Sequence, residues 1–110
     1  LVSSVEDLAQ FYCLLLQGKV FRKDSTLKVM LTVPQTNTNP EARSYAMGLY
    51  RKRIGADVCW GHTGYWGTAV FHCPASDVTI ARHWNQAETG EEFNNNKLFQ
   101  QLAGLLDMNR

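Results

Sequence analysis

The sequence predicts an α+β fold, in which an antiparallel meander sheet is flanked by an N-terminal and a C-terminal helix. Apolar residues recur at helical spacing near both ends of the chain, and short strand-like runs separated by turns fill the middle. Connections this short force neighbouring strands to run antiparallel. With 110 residues, 45% of them hydrophobic, the chain is expected to form a single unit with a core of its own.

The first element is predicted to be a helix with Ser3 as its N-cap. Glu6 completes a capping-box pattern three residues later, and Gly18 supplies a C-terminal stop. The apolar stripe of this helix comprises Val5, Leu8, Tyr12, Leu15 and Leu16. A second, short helix is expected from Asp24, as its cap, to Leu31.

Strands are expected in the next forty or so residues, over 45–52, 58–64, 68–73 and 78–85. Pairing across the turn at 74–77 gives one apolar face, made by Ala69, Phe71, Cys73, Val78 and Ile80. The opposite face is mixed, and it is open to self-association if its natural cover lies outside the chain. A last helix is expected from about residue 94 to residue 108, with an apolar stripe of Leu98, Phe99, Leu102, Leu105 and Leu106.

Composition narrows the possible partners. A net charge of +1 argues against nucleic acid or an anionic membrane as the main partner. No apolar run approaches the roughly 18 residues of a membrane span, and the segment contains no signal-peptide pattern.

The cysteines and histidines do not predict a metal site. Cys13, Cys59 and Cys73 are odd in number and lack CxxC spacing, and the three histidines are expected to lie apart along the strands. No metal and no cofactor are therefore expected. Cys59 and Cys73 come opposite each other if the hairpin closes around residues 65–67, within reach of a disulfide, but free thiols are expected.

The stretch GHTGYWGT, Gly61 to Thr68, holds the residues of greatest chemical interest. A structural hairpin explains glycines at the turn and gives no role to the histidine or the threonine. An edge strand that presents N–H groups can add an extended substrate as a further strand, and it needs a small residue where the backbones approach. These residues alone leave both interpretations open.

The segments around this stretch occur in an order that resembles a known protein family. SSVEDLAQF in the first helix is followed by YAMGLY, by WGHTGYWGTAVFHCPASDVTIARHWNQ and by the last helix. This order resembles the C-terminal third of the serine β-lactamase and penicillin-binding-protein family, most of all its class C β-lactamase, D,D-peptidase and esterase-like branch. His62-Thr63-Gly64 is similar to that family's Lys-Thr-Gly or His-Thr-Gly motif.

The resemblance implies catalytic roles for His62 and Tyr65 and substrate-binding roles for Thr63 and Gly64. His62 would supply positive charge or a proton donor, and the Tyr65 backbone N–H would be one of two oxyanion-hole donors. The Thr63 hydroxyl would bind a substrate carboxylate or an equivalent polar group, and Gly64 would let the substrate backbone lie close. Trp66, directly after Tyr65, is the best candidate for a substrate-facing aromatic side chain.

Two motifs of that family are missing from the chain. Only Ser25-Thr26-Leu27-Lys28 fits the letters of the nucleophile motif Ser-x-x-Lys, and it is rejected because it lies in the second helix, where the family keeps a surface helix. No Tyr-x-Asn or Ser-x-Asn occurs in a suitable place. Residues 1–110 are therefore expected to be the C-terminal segment of a larger serine-hydrolase domain and to be inactive alone.

Several functional alternatives stay open. The substrate implied by the resemblance is a small molecule or a peptide: a β-lactam, a D-amino-acid peptide, an ester or an amide. The family implies a periplasmic or secreted location. The alternative function is a non-catalytic α+β binding or scaffold module whose hairpin is only structural. A Ser-x-x-Lys followed by Tyr-x-Asn upstream of Leu1 would distinguish the two.

Overall fold

The computed structural model describes residues 2–34, 44–85 and 95–108. Within these ranges the chain forms the helices α1 (Val5–Leu16), α2 (Asp24–Met30) and α3 (Asn95–Met108). It also forms the strands β1 (Ser44–Tyr45), β2 (Tyr50–Ile54), β3 (Asp57–Thr63), β4 (Thr68–Cys73) and β5 (Val78–His83). The strands lie in chain order in one antiparallel sheet, which confirms the predicted α+β meander. None of the described helices is long and apolar enough to cross a membrane.

Both N-terminal helices begin differently from the prediction. The N-cap of α1 is Ser4 rather than Ser3, because the Ser4 hydroxyl oxygen accepts the Asp7 N–H at 3.1 Å. Asp24 lies inside the first turn of α2, while Lys23 occupies the cap without a side-chain hydrogen bond. Asp24 still stabilises the helix start there, since a negative charge complements the helix dipole.

The predicted strand over 45–52 is divided by a tight turn. The Ala46 N–H donates to the Leu49 carbonyl at 2.7 Å, and Gly48 has a φ of 75°. Glycine adopts this left-handed conformation without a steric penalty. β1 and β2 are consequently antiparallel neighbours, with Tyr45 opposite Tyr50.

α3 covers the apolar face of the sheet. The Phe71 and Phe99 rings meet edge to face with 5.4 Å between centroids, and the Lys52 ammonium lies 5.3 and 5.2 Å from these two centroids. The buried cluster on this face comprises Ile54, Cys59, Ala69, Phe71, Cys73, Phe99 and Ala103. Leu105, predicted to belong to the apolar stripe of the helix, is exposed.

α1 contacts the opposite, mixed face. The Gln17 side-chain amide donates to the Asp77 carboxylate at 2.8 Å, and Val70 and His72 are buried. Burial lowers the pKa of the His72 imidazole, and the nearby Asp77 carboxylate acts in the opposite direction. The mixed face is thus covered by α1 around His72.

Cys59 and Cys73 form a disulfide, so the expectation of free thiols is wrong. The β3–β4 register pairs Trp60 with His72, which brings Cys59 opposite Cys73 with 4.1 Å between their Cα atoms. Such a close approach is typical of the pairs of an antiparallel ladder that exchange no hydrogen bonds. Among the described residues, Cys13 is the free cysteine.

The disulfide predicts the outcome of a thiol titration. We expect the denatured, unreduced chain to release one thiol per molecule, from Cys13, and three after reduction. Cys13→Ser should bring the unreduced count to zero. Three thiols without reduction would contradict the bridge.

Close packing at Gly61 predicts a large stability difference between two glycine substitutions. A Cβ at Gly61 would lie 2.7 Å from the Phe71 Cα and 2.8 Å from its Cδ1, whereas at Gly104 of α3 it would meet no described residue within 4 Å. We expect Gly61→Ala to lower the free energy of unfolding by about 1–3 kcal/mol. Gly104→Ala should raise it by up to about 1 kcal/mol. Urea unfolding measures both, and equal stability of Gly61→Ala and the unmodified chain would contradict the packing.

Candidate functional site

β3 changes from an internal strand to an edge strand within its own length. On one side Trp60 to Thr63 pair with β4. On the other side the last pair is Gly61 with Tyr50, because β2 begins at Tyr50. In the part of the chain that the structure describes, His62 and Thr63 therefore lie at an open edge of the sheet.

The β3–β4 turn presents three exposed residues next to this edge: Gly64, Tyr65 and Trp66. It is closed by two hydrogen bonds: the Gly64 N–H donates to the Thr68 carbonyl at 2.7 Å, and the Gly67 N–H donates to the Gly64 carbonyl at 3.3 Å. Tyr65 is 75% exposed and Trp66 is 68% exposed, and their rings meet edge to face at 4.9 Å. The Tyr65 N–H makes no hydrogen bond to any residue that the structure describes.

The buried side chain of Arg82 helps to hold this turn. Its guanidinium donates to the Gly67 carbonyl, which also accepts the Trp84 N–H at 3.0 Å. The guanidinium carbon lies 4.9 Å from the centre of the Trp84 ring. Burial lowers the pKa of the Arg82 guanidinium. The sequence did not indicate this role of Arg82, because arginines on strands are mostly exposed.

The His62 ring is fixed between two tyrosines and a carbonyl. Its Nδ1 lies 2.6 Å from the Thr63 carbonyl oxygen and its Nε2 lies 3.1 Å from the Tyr45 hydroxyl. A carbonyl oxygen only accepts, so Nδ1 carries a proton; in the neutral ring Nε2 therefore accepts the Tyr45 O–H. The ring centroid lies 5.7 Å from that of Tyr45 and 4.8 Å from that of Tyr50.

Tyr45, the hydrogen-bond partner of His62, also influences a residue of α1. Burial raises the pKa of the Tyr12 phenol on α1, and the neighbouring Tyr45 phenol raises it further. Within the segment YAMGLY, no local pattern indicates a role for Tyr45. The pairing with His62 depends on the turn at Gly48, which the strand pattern did not reveal.

Gly61 and Gly64 differ in whether the fold itself requires a glycine at that position. At Gly61 the chain's own Phe71 leaves no room for a Cβ. At Gly64 a Cβ would lie 3.6 Å from the Thr68 Cβ and 3.7 Å from its carbonyl oxygen, which is ordinary contact. Gly64 also lacks a positive φ. Internal packing therefore does not require a glycine at position 64.

Ser25 and His83 make no hydrogen bond to the His62 ring. Ser25 belongs to α2, a helix without buried residues. His83 contacts the far end of the β3–β4 turn, with Nδ1 at 2.9 Å from the Thr68 hydroxyl and Nε2 at 2.8 Å from the Asn85 side-chain oxygen. Among the described residues the His62 ring nitrogens contact a phenol and a carbonyl, so no serine is activated by His62 there.

Comparison with known proteins assigns the family. The family model described as Beta-lactamase matches residues 1–105. No curated protein and no solved structure matches the chain significantly. The matched residues include the whole sheet and the edge formed by His62, Thr63 and Gly64. The chain therefore belongs to the Beta-lactamase family.

Proposed function

We propose that the chain forms one wall of the acyl-transfer site of a serine hydrolase of the class C β-lactamase, D,D-peptidase and esterase-like branch. Its membership of the Beta-lactamase family supports a serine-hydrolase-like fragment. The proposed role in acyl transfer rests on the Tyr65 N–H, which lies in an exposed turn and makes no hydrogen bond to a described residue. Acyl transfer places negative charge on one oxygen, and such an N–H stabilises it.

The open edge of β3 provides a binding site for an extended substrate. The Gly64 N–H bonds toward β4, so the backbone groups of Thr63 point to the opposite side, where β2 has ended. A peptide or an acylated amine can pair with these groups as an additional strand. The Thr63 hydroxyl, which has no hydrogen bond to a described residue, binds the substrate carboxylate.

The remaining roles follow from exposure and from the hydrogen bonds of His62. Gly64 admits the substrate backbone, because its missing Cβ leaves space that the fold itself does not need. Trp66 offers an exposed ring for packing against the substrate. His62 supplies positive charge or a proton, and Tyr45 holds its ring through Nε2.

We propose that the nucleophile and the general base come from polypeptide outside this chain. Acyl transfer of this type needs a serine activated by a neighbouring base. A segment with Ser-x-x-Lys and Tyr-x-Asn motifs would bring these groups to the β3 edge. The competing proposal, a non-catalytic binding or scaffold module, is favoured by the absence of both motifs from the sequence given.

Labelling with a fluorescent penicillin and a fluorophosphonate separates the two proposals. We expect no covalent labelling of the 110-residue chain alone, and labelling once it is combined with the polypeptide encoded upstream of it. Labelling of the chain alone at Ser25 would place the nucleophile in α2, and it would overturn the proposal that the nucleophile lies outside this chain. No labelling of the combination would favour the binding module.

Substitution at Gly64 tests the substrate-facing role of the β3 edge. We expect Gly64→Ala to leave the unfolding transition unchanged, since the added methyl group meets only ordinary contacts. It should slow labelling of the combined protein about 100-fold, because the methyl group displaces the substrate from the oxyanion donor. Gly104→Ala is the matched control and should label at the unmodified rate. Equal labelling of both variants would remove Gly64 from the binding surface.

A further inference from the structure

A second cluster of reactive side chains lies on the sheet face that α1 covers. Cys13 comes from α1, His72 from β4, and Asp77 from the turn between β4 and β5. A sulfur, a ring nitrogen and a carboxylate oxygen from these residues all lie within 4.8 Å of one another. The cluster shares no residue with the β3 edge, so it does not depend on the proposed function.

One nitrogen of the His72 ring faces the Asp77 carboxylate of this cluster. The residue is only 1% exposed, and its Nδ1 lies 2.8 Å from the Thr79 hydroxyl. Its Nε2 makes no hydrogen bond within the described part of the chain; the Asp77 Oδ1 lies 3.8 Å away, beyond hydrogen-bond length. The His72 ring is held through Nδ1, so Nε2 is the nitrogen available to a ligand at this cluster.

We propose that Cys13, His72 and Asp77 bind a zinc ion. Thiolate, imidazole and carboxylate are the ligand types that zinc takes in proteins, and three protein ligands leave a fourth position for water. Metal–ligand bonds of roughly 2.0–2.3 Å in a tetrahedron place ligand atoms roughly 3.3–3.8 Å apart. For a nitrogen and an oxygen the expected separation is about 3.4 Å, so the observed 3.8 Å must shorten by about 0.4 Å, and the sulfur must move by about 1 Å.

The surroundings of the cluster also fit a metal centre. The Thr79 hydroxyl on Nδ1 orients the imidazole, and the Gln17 amide, 2.8 Å from the Asp77 Oδ1, orients the carboxylate. Such outer hydrogen bonds accompany the ligands of most zinc sites. A thiolate and a carboxylate balance the charge of a divalent cation. Bound zinc would connect α1 to the sheet, on the face opposite the Cys59–Cys73 disulfide.

Cobalt binding tests the site directly, because a thiolate on Co²⁺ gives a near-ultraviolet charge-transfer band. We expect the chelator-treated, unreduced chain to take up one Co²⁺ with this band, and Zn²⁺ to displace it. Bound Zn²⁺ should also protect the Cys13 thiol from alkylation. Cys13→Ser and His72→Gln should abolish the band, and Thr79→Val should weaken binding about 10- to 100-fold.

Asp77→Asn provides a variant that keeps the fold, since Asp77 is exposed and asparagine tolerates its φ of 54°. We expect it to weaken Co²⁺ binding at least about 10-fold. Asp77 would bind the metal directly, so its loss should cost more affinity than loss of Thr79, which only bonds to a ligand. His83→Gln and Asp24→Asn are the matched controls and should bind as the unmodified chain does. Absence of the band at stoichiometric Co²⁺ would overturn the proposal. A band that Asp77→Asn or His72→Gln leaves unchanged would also overturn it.

Discussion

The register between β3 and β4 is the constraint on which the other features depend. It is set by the turn in which the Gly64 N–H bonds to the Thr68 carbonyl, and the pairs from Thr63 with Ala69 back to Trp60 with His72 follow from it. A slip of one residue would move every side chain of a strand to the other face. The close approach of Gly61 to Phe71 holds the register, because only a glycine fits there.

β4 distributes its side chains between two helices. Phe71 and Cys73 face α3, where the aromatic contact with Phe99 and the disulfide to Cys59 lie. Val70 and His72 lie on the face covered by α1. The period of two in a strand produces this division, and it explains how one strand serves both the apolar core and the proposed zinc site. A helix thus covers each face of the sheet at β4, α3 on one side and α1 on the other.

The candidate site arises because one strand is longer than its neighbour. β3 continues past the start of β2, so a short length of its backbone has no strand partner on that side among the residues that the structure describes. Open edges invite pairing with other chains, and proteins usually keep them short. Within the described ranges this open length is two residues, His62 and Thr63, and the His62 ring is held by Tyr45. A short edge next to an exposed turn can accept a substrate without exposing a whole strand.

The sequence by itself determined the order of the elements, the meander and the apolar face, because these depend on local periodicity and on short connections. It also singled out His62-Thr63-Gly64 through its resemblance to a family that the family match then supported. The tertiary structure decided the turn within 45–52, the disulfide, the Tyr45–His62 contact and the cluster of Cys13, His72 and Asp77. Each of these features depends either on a local backbone conformation or on contacts between residues that are distant in sequence. The strand register and the docking of the helices decide those contacts, and local residue patterns do not reveal them.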